Sequence, residues 1–334
     1  MAGLARARRA AGLPGPGGGR GRRGAGVLHG GHHAEPAHGG ARGQGLGGAG
    51  ASFAETAVIC EEIGRAAAAT GYLGGLLSVG ALAAVAPGGT RDELLSGIAV
   101  GQIRSAVVLD GFELRDGKLY GAAEFVPDVA GADRILVVAG NALALAPTGL
   151  TVMPQPVVDE TRSLAEISAE GAPVAEVLPF EAAPQLRDRA AVAVACDSLG
   201  LAQAMLDATV SYVKVRHQFG RPIGSFQAVK HACADMMVSL AVSRQLVTTA
   251  VDRIAHSEDT GLAASMAASM AKAYATSKAV EIAGKAMQLH GGIGYTWESG
   301  IHVYLKRAAL NRSLFGSPAA HRHELAERYK KSRS

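Results

Sequence analysis

A chain of 334 residues with 48% hydrophobic and 19% charged residues carries enough apolar side chain for a large buried core. Only 4% of residues are aromatic, so that core must be Ala, Leu, Val and Ile, which favours close-packed helices over an aromatic-rich sandwich. The formal charge of +4 is local: residues 1–50 hold seven Arg (Arg6, Arg8, Arg9, Arg20, Arg22, Arg23, Arg42) against Glu35, or +6, and the remainder sums to −2, which excludes a basic nucleic-acid-binding face on the folded part.

Residues 1–50 differ from everything after them. Gly12 to Gly50 is Gly, Arg, His and Pro with little to bury, so it cannot offset its own ordering entropy and is expected to be disordered or a mistranslated start. His29, His32, His33 and His38 are read there as an accident of low complexity rather than a metal site. The N-terminal arginines lack an apolar core behind them, so no secretory signal is expected, and no run of 18 apolar residues suggests a membrane span. Cys60, Cys196 and Cys233 are dispersed and odd in number, which indicates neither a disulfide framework nor a zinc site and fits a cytoplasmic setting.

Ordered structure is expected from Ser52, where Ser52 and Glu55 have capping-box spacing ahead of a stripe of Phe53, Ala57, Ile59, Cys60 and Ile63. Gly71 to Pro87 reads as an Ala- and Leu-rich helix, and Thr90 with Glu93 as the cap of a short helix at Leu94–Ile98. Residues 51–101 thus form a truncated helical domain. From residue 102 to 185 the pattern changes to short apolar runs: Ala106–Leu109, Lys118–Ala122, Arg134–Ala139, Ala142–Ala146 and Leu150–Met153. Turn signals at Asp116-Gly117, Gly140-Asn141 and Pro147-Thr148-Gly149 divide them, so an antiparallel β-domain is expected, with Asp159 to Arg162 as a polar turn. Residues 186–330 read as a four-helix bundle with helices at Leu186–Val215, Gln227–His256, Gly261–Leu289 and about Trp297–Leu314. The fold class is mainly α with a β middle domain.

Three segments of the bundle are more specific than its composition. Arg216-His217-Gln218-Phe219-Gly220-Arg221-Pro222-Ile223-Gly224-Ser225-Phe226-Gln227 combines a cation, an aromatic, glycines and an amide, which suits an anion with a flat ring beside it. Taken alone it is equally a helix corner, with Gly220 as C-cap and Pro222 as a stop. Gln288-Leu289-His290-Gly291-Gly292-Ile293-Gly294-Tyr295 pairs glycines after a helix, where a backbone or ligand can approach; no βαβ unit surrounds it, so it is not a Rossmann fingerprint. Trp297-Glu298 leads to Lys306-Arg307, which also complement a helix dipole, and then to Leu314-Phe315-Gly316.

Together with Ala234-Asp235-Met236, these segments closely resemble the acyl-CoA dehydrogenase family, well over residues 186–325, moderately over 51–100 and in outline over 101–185. The resemblance implies a helical domain, a β-domain and a bundle in that order, and FAD as cofactor. It assigns Arg216 and Phe219 to the pyrophosphate and adenine side of FAD, and places Gln227 nearby. It assigns Gln288, Gly291 and Gly292 to the FAD of a neighbouring subunit, and so implies a dimer or a homo- or heterotetramer. The family's reaction turns an acyl-CoA thioester into the 2,3-enoyl-CoA: a carboxylate takes the α-proton, hydride passes to the flavin, and an electron-transfer flavoprotein or similar acceptor collects the electrons.

The catalytic base is where the family's pattern fails. Most members carry Glu in a Tyr-Glu-Gly-Thr-like segment, which here reads Leu314-Phe315-Gly316-Ser317-Pro318, and Phe315 and Gly316 cannot take a proton. The alternative family position, on the first bundle helix, falls at Ala190. Asp188 and Asp197 are the nearby acids: Asp197 is the candidate base, and its competing role is a bond to a neighbouring helix or subunit. The usual Thr-Glu-Pro-Gly-x-x-Ser/Asp contact is not visible between Gln102 and Ala139. Some family members are α2β2 heterotetramers acting on steroid-side-chain CoA thioesters, in which one subunit lacks the base and helps hold FAD, and Trp297-Glu298 with Leu314-Phe315-Gly316 looks like such a subunit. A homomeric enzyme using another acid, a flavin-binding partner without turnover and a bundle scaffold without ligand are the other readings.

Overall fold

A computed structural model describes residues 50–146, 149–256 and 261–331. The expectations for residues 1–49, including the four histidines, and for the Pro147-Thr148 turn lie outside those residues.

The first helix, α1 (Phe53–Ala66), starts as its sequence dictates. Ser52 Oγ accepts from Ala54 N at 3.1 Å and Glu55 Oε2 accepts from Ser52 N at 2.7 Å, closing the capping box. Then follow α2 (Tyr72–Ala83) and α3 (Gly89–Ala99). The Thr90–Glu93 cap does not form: Gly88 is the N-cap, and Thr90 already lies inside the first turn.

Eight strands build the middle region: β1 (Ser105–Val108), β2 (Phe112–Arg115), β3 (Lys118–Pro127), β4 (Arg134–Ala139), β5 (Ala142–Leu145), β6 (Thr151–Pro154), β7 (Leu164–Pro173) and β8 (Glu176–Pro179). They form two four-stranded sheets, β1-β4-β5-β8 and β2-β3-β7-β6. Pairing is antiparallel except for β1 with β4, which run parallel from Ser105 opposite Arg134 to Val108 opposite Val137. In the first sheet β1, β4 and β5 are largely buried on both faces, and β8 is a half-exposed edge. Val107, Leu136, Val138 and Leu143 join the helical core, while Ala106, Val108, Val137 and Ala144 alternate to the other side and meet Leu119, Val126 and Ile167 of the second sheet. Strands β2, β7 and β8 escape a search for apolar runs because polar residues such as Glu113, Glu166 and Glu176 interrupt them.

The bundle comprises α4 (Ala183–Val215), α5 (Gln227–His256), α6 (Leu262–His290) and α7 (Ile301–Ser313), followed by a further helix, α8 (Pro318–Lys331), that the sequence pattern did not announce. Helix α4 is long and apolar enough to cross a membrane by length and composition alone, but most of it is buried inside the bundle. Its small residues explain how. A Cβ on Gly200 would meet Glu61 O at 1.9 Å, and one on Gly64 would meet Asp197 O at 2.0 Å, so α1 and α4 cross backbone against backbone.

Candidate active site

Where α1, the β6–β7 turn, α4 and α7 meet, a buried polar network joins them. Asp197 on α4 is 3% exposed. Its Oδ1 accepts from Arg307 Nε at 3.1 Å and from Asn311 Nδ2 at 2.6 Å; its Oδ2 pairs with Arg307 Nη2 at 2.6 Å and Arg162 Nη2 at 3.2 Å. Arg307 also donates to Ala68 O at 2.8 Å and Thr161 Oγ1 at 2.9 Å. Burial alone would raise the Asp197 carboxyl, but Arg307 and Arg162 outweigh it and hold the group below the usual carboxylate range. Such an acid is kept ionised and fully engaged, and it does not line the cleft described below. Asp197, the candidate base, thus makes the contacts of its competing role, a tie between α4, α7 and the β6–β7 turn. The turn from Asp159 to Arg162 is polar, as expected, and divided: Asp159 and Thr161 are buried while Glu160 between them is exposed.

The other acid near the alternative base position behaves differently. Burial pushes the Asp188 carboxyl up to about 6, against a single hydroxyl donor, Ser265 Oγ at 3.0 Å. It does not reach the cleft either, and Ala190 beside it is fully buried.

A cleft of about 760 Å³ opens between the sheets and α7. Its walls are the end of β1, a bulge in β3, the chain before Asp159, and α7 with the turn Leu314-Phe315-Gly316. The bulge arises where the β3–β7 register shifts between Ala123 and Val126; Phe125 adopts φ 55 there, and its N–H donates to Gln155 Oε1 at 2.7 Å. No Gly or Asn marks this bulge, so nothing in the sequence pointed to Glu124 and Phe125 as cleft residues. The acids on the walls are Asp110, Glu124 and Asp159. Asp110 pairs with Arg187 Nε at 3.1 Å, Asp159 Oδ1 accepts from Thr161 N at 3.0 Å, and Glu124 sits on the exposed bulge. Lys306 stands at the mouth, 4.8 Å from the Trp297 ring centroid and 3.7 Å from Glu160.

The two segments expected to hold a cofactor lie elsewhere. Arg216 caps α4 in extended geometry, and the chain then forms a two-residue hairpin, His217–Gln218 against Arg221–Pro222. Phe219 and Gly220 make its turn at φ 52 and φ 77, so Gly220 is a hairpin residue and not a helix C-cap. Phe219 is 90% exposed, and the Arg221 guanidinium lies 4.1 Å from the Phe226 ring. Gln227 opens α5 with its side chain exposed. Gln288, also exposed, ends α6 and accepts from Lys285 Nζ at 3.0 Å; Gly291 breaks the helix at φ 63. A Cβ on Gly291 or Gly292 would meet nothing within 4 Å.

Tyr212 stacks on His290 with centroids 4.4 Å apart and donates to His290 O at 3.3 Å, which sets the ends of α4 and α6 side by side. The structure thus brings Arg216, Phe219 and Gln227 to the same end of the bundle as Gln288, Gly291 and Gly292, and none of the six lines the cleft. An exposed ring, guanidinium donors and open glycine backbone suit the diphosphate and adenine of a flavin dinucleotide. Among the described residues no His/Cys/Asp/Glu group could hold a metal ion.

A helical domain, a two-sheet middle region and a helical bundle follow one another along the chain, the order of the acyl-CoA dehydrogenase fold, and the chain is an oxidoreductase of the class that acts on CH–CH bonds. Residues 181–330 match the profile of the acyl-CoA dehydrogenase C-terminal domain. The chain is 36% identical over 275 residues to acyl-CoA dehydrogenase IpdE2 of Mycobacterium tuberculosis, covering 82% of this chain and 77% of that protein. Among solved structures, the Tcur3481–Tcur3483 steroid ACAD superposes with TM-score 0.78 at 29% identity, covering 89% of this chain and 86% of that one. The ChsE4–ChsE5 complex from Mycobacterium tuberculosis gives 0.77 at 26%, covering 89% and 84%. The chain belongs to the acyl-CoA dehydrogenase family. That family is FAD-dependent and oxidises the CH–CH bond of acyl-CoA thioesters.

Proposed function

We propose that this chain is an FAD-holding subunit of a heteromeric, cytoplasmic acyl-CoA dehydrogenase whose related partner chain supplies the catalytic carboxylate. One observation carries the reading: the cleft ends on Phe315-Gly316 where the family places its base, while the cofactor segments face outward at the end of the bundle. Two of the structures it resembles are named as pairs of chains, Tcur3481–Tcur3483 and ChsE4–ChsE5.

In this reading Arg216 would donate to the diphosphate of one FAD, with Phe219 on its adenine side and Gln227 nearby, and the Gln288 amide would hydrogen-bond the FAD of a neighbouring subunit. Gly291 and Gly292 let backbone approach it without a Cβ clash. The chemistry FAD would supply when bound is that of a hydride acceptor for the β-carbon, with an electron-transfer flavoprotein or similar acceptor to collect the electrons. The second reading, a flavin-binding partner with no turnover of its own, draws on the same missing carboxylate.

Co-purification with a related chain of the same genome, followed by flavin absorbance and bleaching by acyl-CoA thioesters, tests both. The assembly is expected to be yellow and to bleach, and the isolated chain not to bleach. An isolated chain that binds FAD and is reduced by acyl-CoA unaided would overturn the partner requirement. A yellow assembly that never bleaches with any acyl-CoA would favour the second reading.

A further inference from the structure

The turn that closes the cleft is fastened from outside by two side chains. Phe315 (φ 54) and Gly316 (φ 97) both adopt left-handed backbone between α7 and α8. Glycine takes that conformation freely, but in a bulky aromatic residue it is strained and persists only where the surroundings impose it.

Here they do. Lys272 Nζ on α6 donates to Gly316 O at 2.8 Å and to Arg312 O at 3.2 Å. On α8, His321 Nε2 donates to Phe315 O at 3.0 Å, and its Nδ1 lies 3.1 Å from Ser269 Oγ. Burial, ahead of the nearby Lys272 charge, holds the His321 pKa below its usual value, so the ring is a neutral donor at Nε2. Gly316 has no alternative beneath that ring, because a Cβ there would lie 2.9 Å from Nε2.

Lys272 is the costlier of the two fasteners. It is 0% exposed, its hydrogen bonds go to carbonyls rather than to a carboxylate, and burial pushes its pKa down to about 7. An apolar side chain would fill a helix interface more cheaply than a buried amine. What the amine supplies is one directed bond to this turn and one to the end of α7 that leads into it. The turn in turn presents Phe315, which packs on the helical core on one side and lines the cleft on the other.

We infer that Phe315 is the wall that selects the acyl group in this chain's cleft, and that Lys272 and His321 are positioning residues that hold it there. The inference rests on the reading that the cleft takes an acyl-CoA thioester. The cleft around the ring is apolar, with Val107, Leu109, Leu310 and Leu314 among its walls, so selection is by the size and shape of a hydrocarbon group.

The test uses the flavin-loaded assembly and a pair of acyl-CoA thioesters that differ only in acyl bulk. Binding is followed by calorimetry, and kcat and KM by turnover. Phe315→Ala is expected to shift the bulky-to-small ratio of affinities by roughly 10-fold or more towards the bulky thioester, the scale set by adding or removing a few methylenes' worth of pocket. Lys272→Met is expected to shift the bulky-to-small affinity ratio in the same direction as Phe315→Ala, by a few-fold, because it loosens the wall and removes no cleft residue. In the Phe315→Ala background Lys272→Met should leave the ratio unchanged, since the wall it holds is gone. His321→Leu, which removes the bond to Phe315 O together with the contact to Ser269 Oγ, should move the ratio in the same direction as Lys272→Met and serves if the latter fails to fold.

An unchanged ratio in Phe315→Ala overturns the wall. A Lys272→Met that lowers only the melting temperature, or whose effect adds fully to that of Phe315→Ala, overturns the positioning role. Flavin absorbance of the unmutated assembly is read separately: a colourless assembly refutes the cofactor reading, and the calorimetric ratio still decides the wall.

Discussion

Two groups of charged residues on and beside α4 are built in opposite ways. Asp197 sits inside the molecule with every oxygen engaged by Arg307, Asn311 and Arg162. Arg216, at the end of the same helix, stands exposed beside a ring that is 90% in solvent and near glycines with open space above them. A buried charge must be paired to be tolerated, so the first group is finished by the fold itself. The second places hydrogen-bond donors and a flat ring where the chain does not cover them, and a ligand or second subunit would complete it. A carboxylate on a bundle helix can belong to either kind; its partners, and not its position in the helix, tell which.

The largest test of that contrast is Asp197→Ala. It leaves Arg307 and Arg162 buried without their counter-charge and is expected to cost about 3–5 kcal/mol, measured by urea unfolding. A variant with unchanged stability and abolished turnover would make Asp197 a reacting group and break the comparison. Arg216→Ala is expected to do the reverse. Losing a charge-assisted bond to the diphosphate should cost roughly 1.5–3 kcal/mol of flavin affinity, or about 10- to 100-fold, with unfolding of the flavin-free chain unmoved. Stoichiometric yellow flavin after purification of that variant would show that the exposed loop serves something else.

Acidity separates the two carboxylates of α4. Asp197 has a depressed pKa, so its stabilising contribution is present above the unfolded value and is lost as pH falls. Asp188 has the opposite sign. Its folded pKa of about 6 lies above the ordinary 3.8, so between those values the folded state binds more protons and stability falls as pH rises. With partial solvent screening the effect is on the order of 1 kcal/mol, and Asp188→Asn should abolish that part of the slope in a pH series of denaturation midpoints. The smallest expected change in stability belongs to Gly292→Ala. Its Cβ enters open space, so the flavin-free chain should stay within about 0.5 kcal/mol of the parent, while flavin retention on filtration should drop. Equal retention would mean that nothing approaches the backbone there.

The elements that could be read from the sequence are those whose cause is local. Ser52 and Glu55 close their capping box, Gln227–His256 is helical from end to end, and Arg134–Ala139 is a strand, because periodicity and caps act over a few residues. The segments proposed to hold the cofactor could be picked out for the same reason: Arg216 to Gln227 and Gln288 to Gly292 are each one continuous stretch. Where the local signal is ambiguous, sequence pattern and structure diverge. Phe219-Gly220 makes a hairpin turn, Thr90 lies inside its helix, and α8 follows Pro318 with a charged sequence that carries no apolar stripe.

What chain order and residue type determined by themselves, then, was the succession of helices, strands and bundle and the two exposed stretches that resemble a flavin site. Tertiary structure alone decided which carboxylates were already spoken for, that β1 pairs in parallel with β4, that a bulge at Phe125 forms one wall of the cleft, and that Lys272 and His321 pin Phe315 at its end. The reason is range. Arg307 meets Asp197 across 110 residues of chain and Lys272 meets Gly316 across 44, and no periodicity over a helix or strand encodes such a meeting. It follows only once burial has brought the segments together and the low dielectric has made each unpaired charge too costly to leave alone.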